Sequence, residues 1–483
     1  MKRIILLSLA ALFAFSGTVF AYPSIELDGE KIETDTAPMI DGGRTLVPAR
    51  AVFEALGGDV GFENGTTTVL LGGHEIIIKT GSDIMTADSA EIKLDVPAMI
   101  SNGRTLIPLR AVAESAGIDV SWDEKTETVK LVRAESFADM LDSRIEDDKN
   151  YMFSPLSVKT AMAMAANGAE GQTKKEILDT LGIENLDEYN NRMKSMIEAC
   201  KNDENVTVNI ANSIWLNKDN IPTDFLDSYK KTIRDFYDGE AAEVDSSNAV
   251  DKINSWTNDK TNGKIAQIIS DPNFSTSLVN AVYFKGNWRD EFMPSGKMTF
   301  HSKDGTEKDI DFMQKTEYMH YAEQGGVRAV EIPYKSGANN SFSMYLMMSD
   351  DDFAPEATLN SMQFERKKVI LKMPKFRISY TRFLKDDLKA VGIKTAFDED
   401  NADFSKMNSF PQYIDNVLHK TYIDVDEKGT EAAAVTAAML GGGSAYIKPE
   451  EPIEFTADRP FAFVIKDNTS GEIFFMGKFS YAN

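Results

Sequence analysis

The sequence predicts two α+β parts in series: a small unit made of two repeats, then a large α+β domain with long antiparallel strands. Three observations predict this. The block Gly43–Val52 recurs as Gly103–Val112, the mark of a duplicated unit. Over residues 134–483, apolar helical periodicity alternates with β-rich runs. Near the C-terminus, a long stretch of small residues hangs between two extended segments.

Residues 1–21 read as a secretory signal peptide rather than as part of the fold. Lys2 and Arg3 precede the apolar run Ile4–Phe15, and Val19-Phe20-Ala21 offers a small residue at the cut. The alternative is a buried N-terminal helix. The run is too short to span a bilayer, and no later stretch of ~18 apolar residues exists. No cysteine follows the run, which argues against a lipid anchor. The predicted location is secreted, extracellular or associated with the cell surface. The formal net charge of −24 repels phosphate backbones and anionic membranes, so nucleic acid is not an expected partner. Its simplest meaning is solubility. Cys200 is the single cysteine, so no internal disulfide forms. It falls in the helix-like stretch Arg192–Lys201 and reads as an inert thiol.

In the repeated unit, Arg44-Thr45-Leu46-Val47 is a short strand. Pro48 and Pro108 stand where a helix begins, since proline fits the first helical turn. Val52, Phe53 and Leu56 form the apolar face of that helix, and Gly57-Gly58 ends it. Val60–Phe62, the turn Asn64-Gly65 and Thr68–Leu70 then form a hairpin. The match between repeats extends to Phe62 with Trp122 and Val69 with Val129. Residues 25–133 resemble the copper amine oxidase N-terminal-like domain, an accessory module of secreted bacterial proteins. Only the fold carries over. Copper sites need clustered imidazoles, and His74, His301, His320 and His419 are scattered, so no metal is assigned. Contact with the cell wall is a role open to this module.

In the large part, Phe137, Met140, Leu141 and Ile145 have helical spacing. Val279–Phe284, Phe342–Met348, Val369–Met373 and Ala462–Ile465 read as strands. The segment Asp426–Ser444 is unusual. Its alanines and terminal glycines favour a helix by propensity. Its flanks do not: Thr421–Asp426 alternates as a strand, and Tyr446–Thr456 is extended. A long loop of small residues between two strands is the reading that fits both flanks, and such loops tend to be functional.

Within that loop, Glu427-Lys428-Gly429-Thr430-Glu431-Ala432-Ala433-Ala434 resembles the reactive-loop hinge of inhibitory serpins. Further segments resemble the family in the same order: Phe153–Ser157, Asn280–Trp288, Met373–Phe376, Arg459–Phe461 and Phe475–Phe479. The resemblance covers residues 134–483. It implies the serpin fold, with a large central antiparallel sheet, additional sheets, about nine helices and an exposed reactive loop. It further implies a monomer that forms a covalent complex with a target serine or cysteine protease. The protease cuts the loop, and the cut loop inserts into the sheet.

The resemblance also assigns residues. Glu427, Gly429, Thr430, Glu431, Ala432, Ala433 and Ala434 form the hinge, with Gly429 supplying backbone freedom at the pivot. Alternation would put Thr430, Ala432, Ala434 and Thr436 on the buried face of an inserted strand. Ser157, Asn280 and His419 form a hydrogen-bonded network that holds the sheet shut. Counting from the hinge puts the reactive bond at Gly443-Ser444, with Met439, Leu440 and Tyr446 as rival specificity positions. All are small or apolar, which favours elastase-like, subtilisin-like or chymotrypsin-like targets. Lys448 precedes Pro449 and makes a poor cleavage site.

The alternative within the family is a non-inhibitory serpin that serves as a binding protein at the cell surface. Such relatives carry bulky or charged hinge residues, unlike this hinge. An enzyme is a weaker alternative: no G-x-S-x-G, HExxH or Walker motif occurs. No catalytic residue and no cofactor is assigned.

Overall fold

The computed structural model describes residues 22–482 apart from 28–29, 72–73, 89, 134, 146–147, 202–204, 336, 338–339 and 431–450. Residues 1–21, expected from sequence to be a signal peptide, lie outside that range. So do Glu431, Ala432, Ala433, Ala434, Met439, Leu440, Gly443, Ser444 and Tyr446. The chain divides into two compact units, Met1–Ala134 and Glu135–Asn483.

In the first unit, the repeats meet through equivalent strands. Arg44–Pro48 pairs antiparallel with Arg104–Pro108, and Val47 faces Ile107 at the centre. Each strand feeds a short helix, Ala49–Ala55 or Leu109–Glu114. Pro48 and Pro108 sit one position earlier than the sequence predicts. They occupy the N-cap in extended conformation, with ψ of 113° and 107°, because each is also the last residue of its strand. Gly57, at φ +85°, donates to Glu54 O, and Gly58 donates to Phe53 O. This left-handed C-terminal motif stops the first helix as predicted. Asn64 and Gly65 both have positive φ, so a two-residue turn closes the hairpin Asp59–Glu63/Thr66–Leu71. Val47, Val52, Phe53, Ile107 and Val112 are buried in one core.

The second unit holds two sheets. Its six-stranded sheet contains Val206–Asn217 (β1), Glu240–Val244 (β2), Thr276–Asn287 (β3), Phe376–Phe383 (β4), Asn416–Val425 (β5) and the two-residue Gly429–Thr430 (β6). Their order is β2-β1-β3-β6-β5-β4, with β3 and β5 also in direct contact. The second sheet has nine strands and includes Phe342–Met348, Phe461–Asp467 and Ile473–Phe479. Among the described residues, this unit carries eight α-helices and one 3-10 helix.

β3 reads TSLVNAVYFKGN and is buried on both faces for most of its length, which is why it is apolar without alternation. Helix Pro155–Asn167 (α1) lies beneath it. Its sequence, PLSVKTAMAMAAN, is apolar or small almost all round, as a fully buried helix requires. Ser154 caps α1 by accepting from Ser157 N at 3.2 Å. On the other face of the sheet, Ala249 and Ile253 of helix Ala249–Lys260 cluster with Ala211, Val279, Ala281 and Leu418. The helix predicted over Phe137–Ile145 stops at Asp142. Its end tightens into bonds from Arg144 N to Leu141 O and from Ile145 N to Asp142 O, so Ile145 is buried beyond the helix. Cys200 is buried near the end of helix Leu186–Lys201.

Phe284 of β3 joins the two sheets. Its ring makes edge contacts with Tyr334 at 5.1 Å, Phe342 at 5.8 Å and Phe475 at 5.7 Å. Phe284→Ala is expected to lower unfolding stability by about 3–5 kcal/mol, read as a lower urea midpoint at unchanged slope.

Candidate functional site

The site is the seam between β3 and β5. The two strands run parallel and pair directly from Ser277 with Asn416 to Tyr283 with Tyr422. Above that point, other backbone fills the space between them. β5 ends at Val425, the chain reverses through Asp426–Lys428, and β6 re-enters the gap. Thr430 faces Gly286 and Gly429 faces Asn287 of β3, while Thr430 also pairs with Val425 of β5, all antiparallel.

The reversal is held by backbone and by one carboxylate. Asp426 Oδ1 accepts from Lys428 N at 2.8 Å and from Gly429 N at 3.3 Å. Asp426 N donates to Gly429 O at 2.9 Å. Burial raises the Asp426 carboxyl above its ordinary pKa, against the pull of those two N–H donors. The loop carbonyls are taken up as well. Trp288 N donates to Lys428 O at 2.8 Å, Phe292 N to Glu427 O at 2.7 Å, and Trp288 Nε1 to Asp426 O at 2.9 Å. Glu427 makes an ion pair with Lys375 at 3.2 Å.

Gly429 meets a second demand in this conformation. It lies outside the positive-φ region, so the conformation itself does not call for glycine. A β-carbon there would collide with the Gly286 carbonyl and the Asn287 backbone. Glycine is required because two backbones approach closely.

Thr430 is fully buried. Its hydroxyl shares a 2.9 Å hydrogen bond with the Tyr334 hydroxyl. Tyr334 stacks on Trp288 with ring centroids 4.4 Å apart and planes 18° apart. Burial pushes the Tyr334 phenol far above its usual pKa, so it stays un-ionised.

Lower in the seam, Asn280 of β3 faces His419 of β5. His419 Nε2 accepts from Ser154 N at 3.0 Å. That bond leaves the ring proton on Nδ1, which donates to Asn280 Oδ1. The Asn280 amide in turn donates to Ser157 O at 2.9 Å, and contacts Ser157 Oγ and Asn212 Oδ1. Thr421 Oγ1 donates to Met152 O at 2.5 Å. The structure thus brings Ser157, Asn280 and His419 together in one network, with Ser157 on α1 and the other two across the seam. Complete burial pushes the His419 pKa down to about 3, so the ring is neutral at physiological pH.

Sequence reasoning missed Asn212, Ser154, Tyr334 and the capping role of Asp426. Asn212 sits opposite Asn280 across the β1–β3 ladder, a pairing visible only once the strands are in register. Asp426 had a local signal: an Asp followed two and three residues later by Lys428 and Gly429 suits a side-chain-capped turn. Among the described residues, no group of three or more His, Cys, Asp or Glu side chains is placed to hold a metal ion. Among the same residues, no helix is long and apolar enough to cross a membrane.

A family model for Serpin (serine protease inhibitor) matches residues 134–482, and one for the copper amine oxidase N-terminal domain matches residues 26–131. Serpin B6 of Macaca fascicularis is 31% identical over 363 residues, covering 69% of this chain and 94% of its own. Leukocyte elastase inhibitor of Homo sapiens is 31% identical over 362 residues, with 68% and 93% covered. Among solved structures, the thermophilic serpin tengpin in its native state aligns with a TM-score of 0.64 at 29% identity, over 72% of this chain and 93% of that one. Thyroxine-binding globulin in complex with thyroxine aligns with a TM-score of 0.62 at 26% identity, over 72% and 97%.

The neutral His419 makes stability depend on pH. Its folded pKa of about 3 lies below the 6.5 of a free histidine. Between those values the unfolded chain binds the extra proton, so stability is intact above 6.5 and falls as pH drops toward 3. The loss from this group is on the order of 1 kcal/mol per pH unit. Urea midpoints measured from pH 7 to pH 4 are expected to fall less steeply in His419→Gln than in the wild type.

Proposed function

The chain belongs to the serpin family over residues 134–482, and from that premise we propose that it is a secreted suicide inhibitor of serine or cysteine proteases. The observation that carries this is the seating of Gly429–Thr430 between β3 and β5, antiparallel to both. This stub already has the direction and register of an additional strand. Continuing the register puts Ala432 opposite Phe284 and Ile423, Ala434 opposite Val282 and Thr421, and Thr436 opposite Asn280 and His419. Because Thr430 points inward, Ala432, Ala434 and Thr436 would point inward too. All are small and uncharged, while Glu431 would face outward.

The proposed reaction begins as ordinary proteolysis. The protease nucleophile attacks the carbonyl of the scissile residue, proposed as Gly443, and the amine of Ser444 leaves with a proton. The chain end is then held by an ester, or by a thioester in a cysteine protease. Freed at that end, the loop extends the stub down the seam and carries the acylated protease with it. Insertion breaks the direct β3–β5 ladder and the His419–Asn280 bond, and builds a ladder on each side of the new strand. Thr436 would deliver a hydroxyl where Asn280 and His419 part. A net gain of about ten hydrogen bonds at roughly 1 kcal/mol each gives on the order of 10 kcal/mol. That is comparable with the whole stability of a typical domain.

Fold alone does not choose between inhibitor and binding protein, since the chain resembles both leukocyte elastase inhibitor and thyroxine-binding globulin. The small hinge favours the inhibitor. The small or apolar residues Met439, Leu440, Gly443 and Tyr446 favour elastase-like, subtilisin-like or chymotrypsin-like targets over trypsin-like ones. We further propose that residues 25–133 keep the secreted protein in contact with the cell wall.

The test is incubation with a panel of serine proteases, followed by denaturing gels and mass spectrometry. A covalent complex joined at Gly443 is expected. Thr430→Arg puts a charge into a buried site and is expected to turn the inhibitor into a substrate: complex falls roughly tenfold, equivalent to ~1.4 kcal/mol, and nicked protein accumulates. Thr430→Ser is expected to retain complex formation. An undiminished complex in Thr430→Arg contradicts the assigned face.

A further inference from the structure

The N-terminal unit contains a cavity of about 390 Å³ that the inhibitor reading does not use. Repeat one contributes Arg44 and Thr45. Repeat two contributes Asp95, the start of helix Leu109–Glu114 and the strand segment Val120–Trp122. Its volume falls within the ~300–1,000 Å³ of small-ligand sites.

Its lining combines one aromatic surface with two charge pairs. The Trp122 side chain is 38% exposed, although it stands in a regular strand. Arg44 Nε pairs with Asp95 Oδ2 at 2.5 Å. Arg110 Nε pairs with Glu114 Oε1 at 3.6 Å, one helical turn apart. All four charged side chains are about half exposed, so their outer atoms face the cavity and solvent. Each pair sets hydrogen-bond donors beside acceptors and carries no net charge. A guanidinium has five N–H groups and a carboxylate several lone pairs, so one contact leaves bonding capacity on both sides.

We propose that this cavity binds an uncharged sugar chain. A pyranose ring has an apolar face that suits the indole surface. Its hydroxyls each donate and accept, which suits adjacent guanidinium and carboxylate groups. A strongly anionic ligand would have to displace Asp95 or Glu114 and approach a chain of net charge −24. The duplication supplies an internal comparison. The positions equivalent to Leu109, Ser121 and Trp122 are Ala49, Gly61 and Phe62, so the Trp122 copy carries the larger and more polar lining.

The proposal rests on the wall-contact reading of residues 25–133, and the two can fail separately. The full chain is titrated with the soluble tetramer of N-acetylglucosamine while tryptophan fluorescence and heat are recorded. Trp215 and Trp288 are buried and Trp256 is partly buried, so quenching is assigned to Trp122 by its loss in Trp122→Ala. Trp122→Ala is expected to weaken tetramer binding roughly tenfold or more and to reduce pelleting with purified peptidoglycan. Trp122→Phe is expected to keep part of the affinity, and Phe62→Ala to keep all of it. Unchanged tetramer affinity in Trp122→Ala overturns the site. So does binding of a soluble stem peptide in place of the sugar. Wild-type pelleting without tetramer binding overturns the sugar site and leaves wall contact standing. Neither pelleting nor tetramer binding overturns both.

Discussion

Two parallel strands, β3 and β5, are held together by a ladder running from Ser277–Asn416 to Tyr283–Tyr422 and by one neutral imidazole. The imidazole is positioned by what it accepts as much as by what it donates. Ser154 N occupies Nε2, so Nδ1 must carry the proton to Asn280. A ring protonated on both nitrogens would set N–H against N–H at Ser154. Burial prevents that state at neutral pH. The seam is therefore closed by a buried polar network whose members are costly to separate unless a new partner arrives. In the proposed mechanism, an entering strand would be such a partner.

At the upper end, the same seam is already primed. Gly429 and Thr430 occupy the first two positions of the slot, and Asp426, Trp288 and Phe292 fix the reversal that feeds them. Seating the stub demands glycine at 429, which packs directly on the Gly286 backbone, while a β-carbon at Gly286 would press on the Tyr334 ring. It also demands a small polar residue at Thr430, where Tyr334 supplies a hydroxyl partner. These constraints account for a Gly-Thr pair directly after the charged turn Asp426–Lys428. In the proposed insertion, an anchored start would lower the entropic cost of nucleating a strand, because the first register pairs would be in place before any cut.

Much of this was legible in sequence, for identifiable reasons. The strands Val279–Phe284, Phe342–Met348 and Ala462–Ile465 announce themselves as apolar runs, because both of their faces are buried. The duplicated Arg-Thr-Leu-Val/Ile-Pro blocks announce one strand–helix unit used twice. Other features were not legible. The five-stranded sheet of the N-terminal unit depends on pairings that local periodicity does not specify. Phe137–Ile145 has helical spacing throughout, yet tertiary packing ends the helix at Asp142. The close approach of Gly429 to the Gly286 backbone was not legible, because a glycine needed for rotation and one needed for close approach look identical in sequence. Ser157, Asn280 and His419 lie far apart in the chain, and only the family resemblance grouped them. Asn212 had no such guide.

The central claim is that intact protein stores energy that a seated, severed loop releases. Its most direct test is the melting temperature of the chain before and after a single cut in residues 439–446, followed by circular dichroism at matched pH. Nicked protein is expected to melt well above intact protein, by tens of degrees if on the order of 10 kcal/mol is released. A nicked chain that melts at or below the intact temperature would contradict the claim.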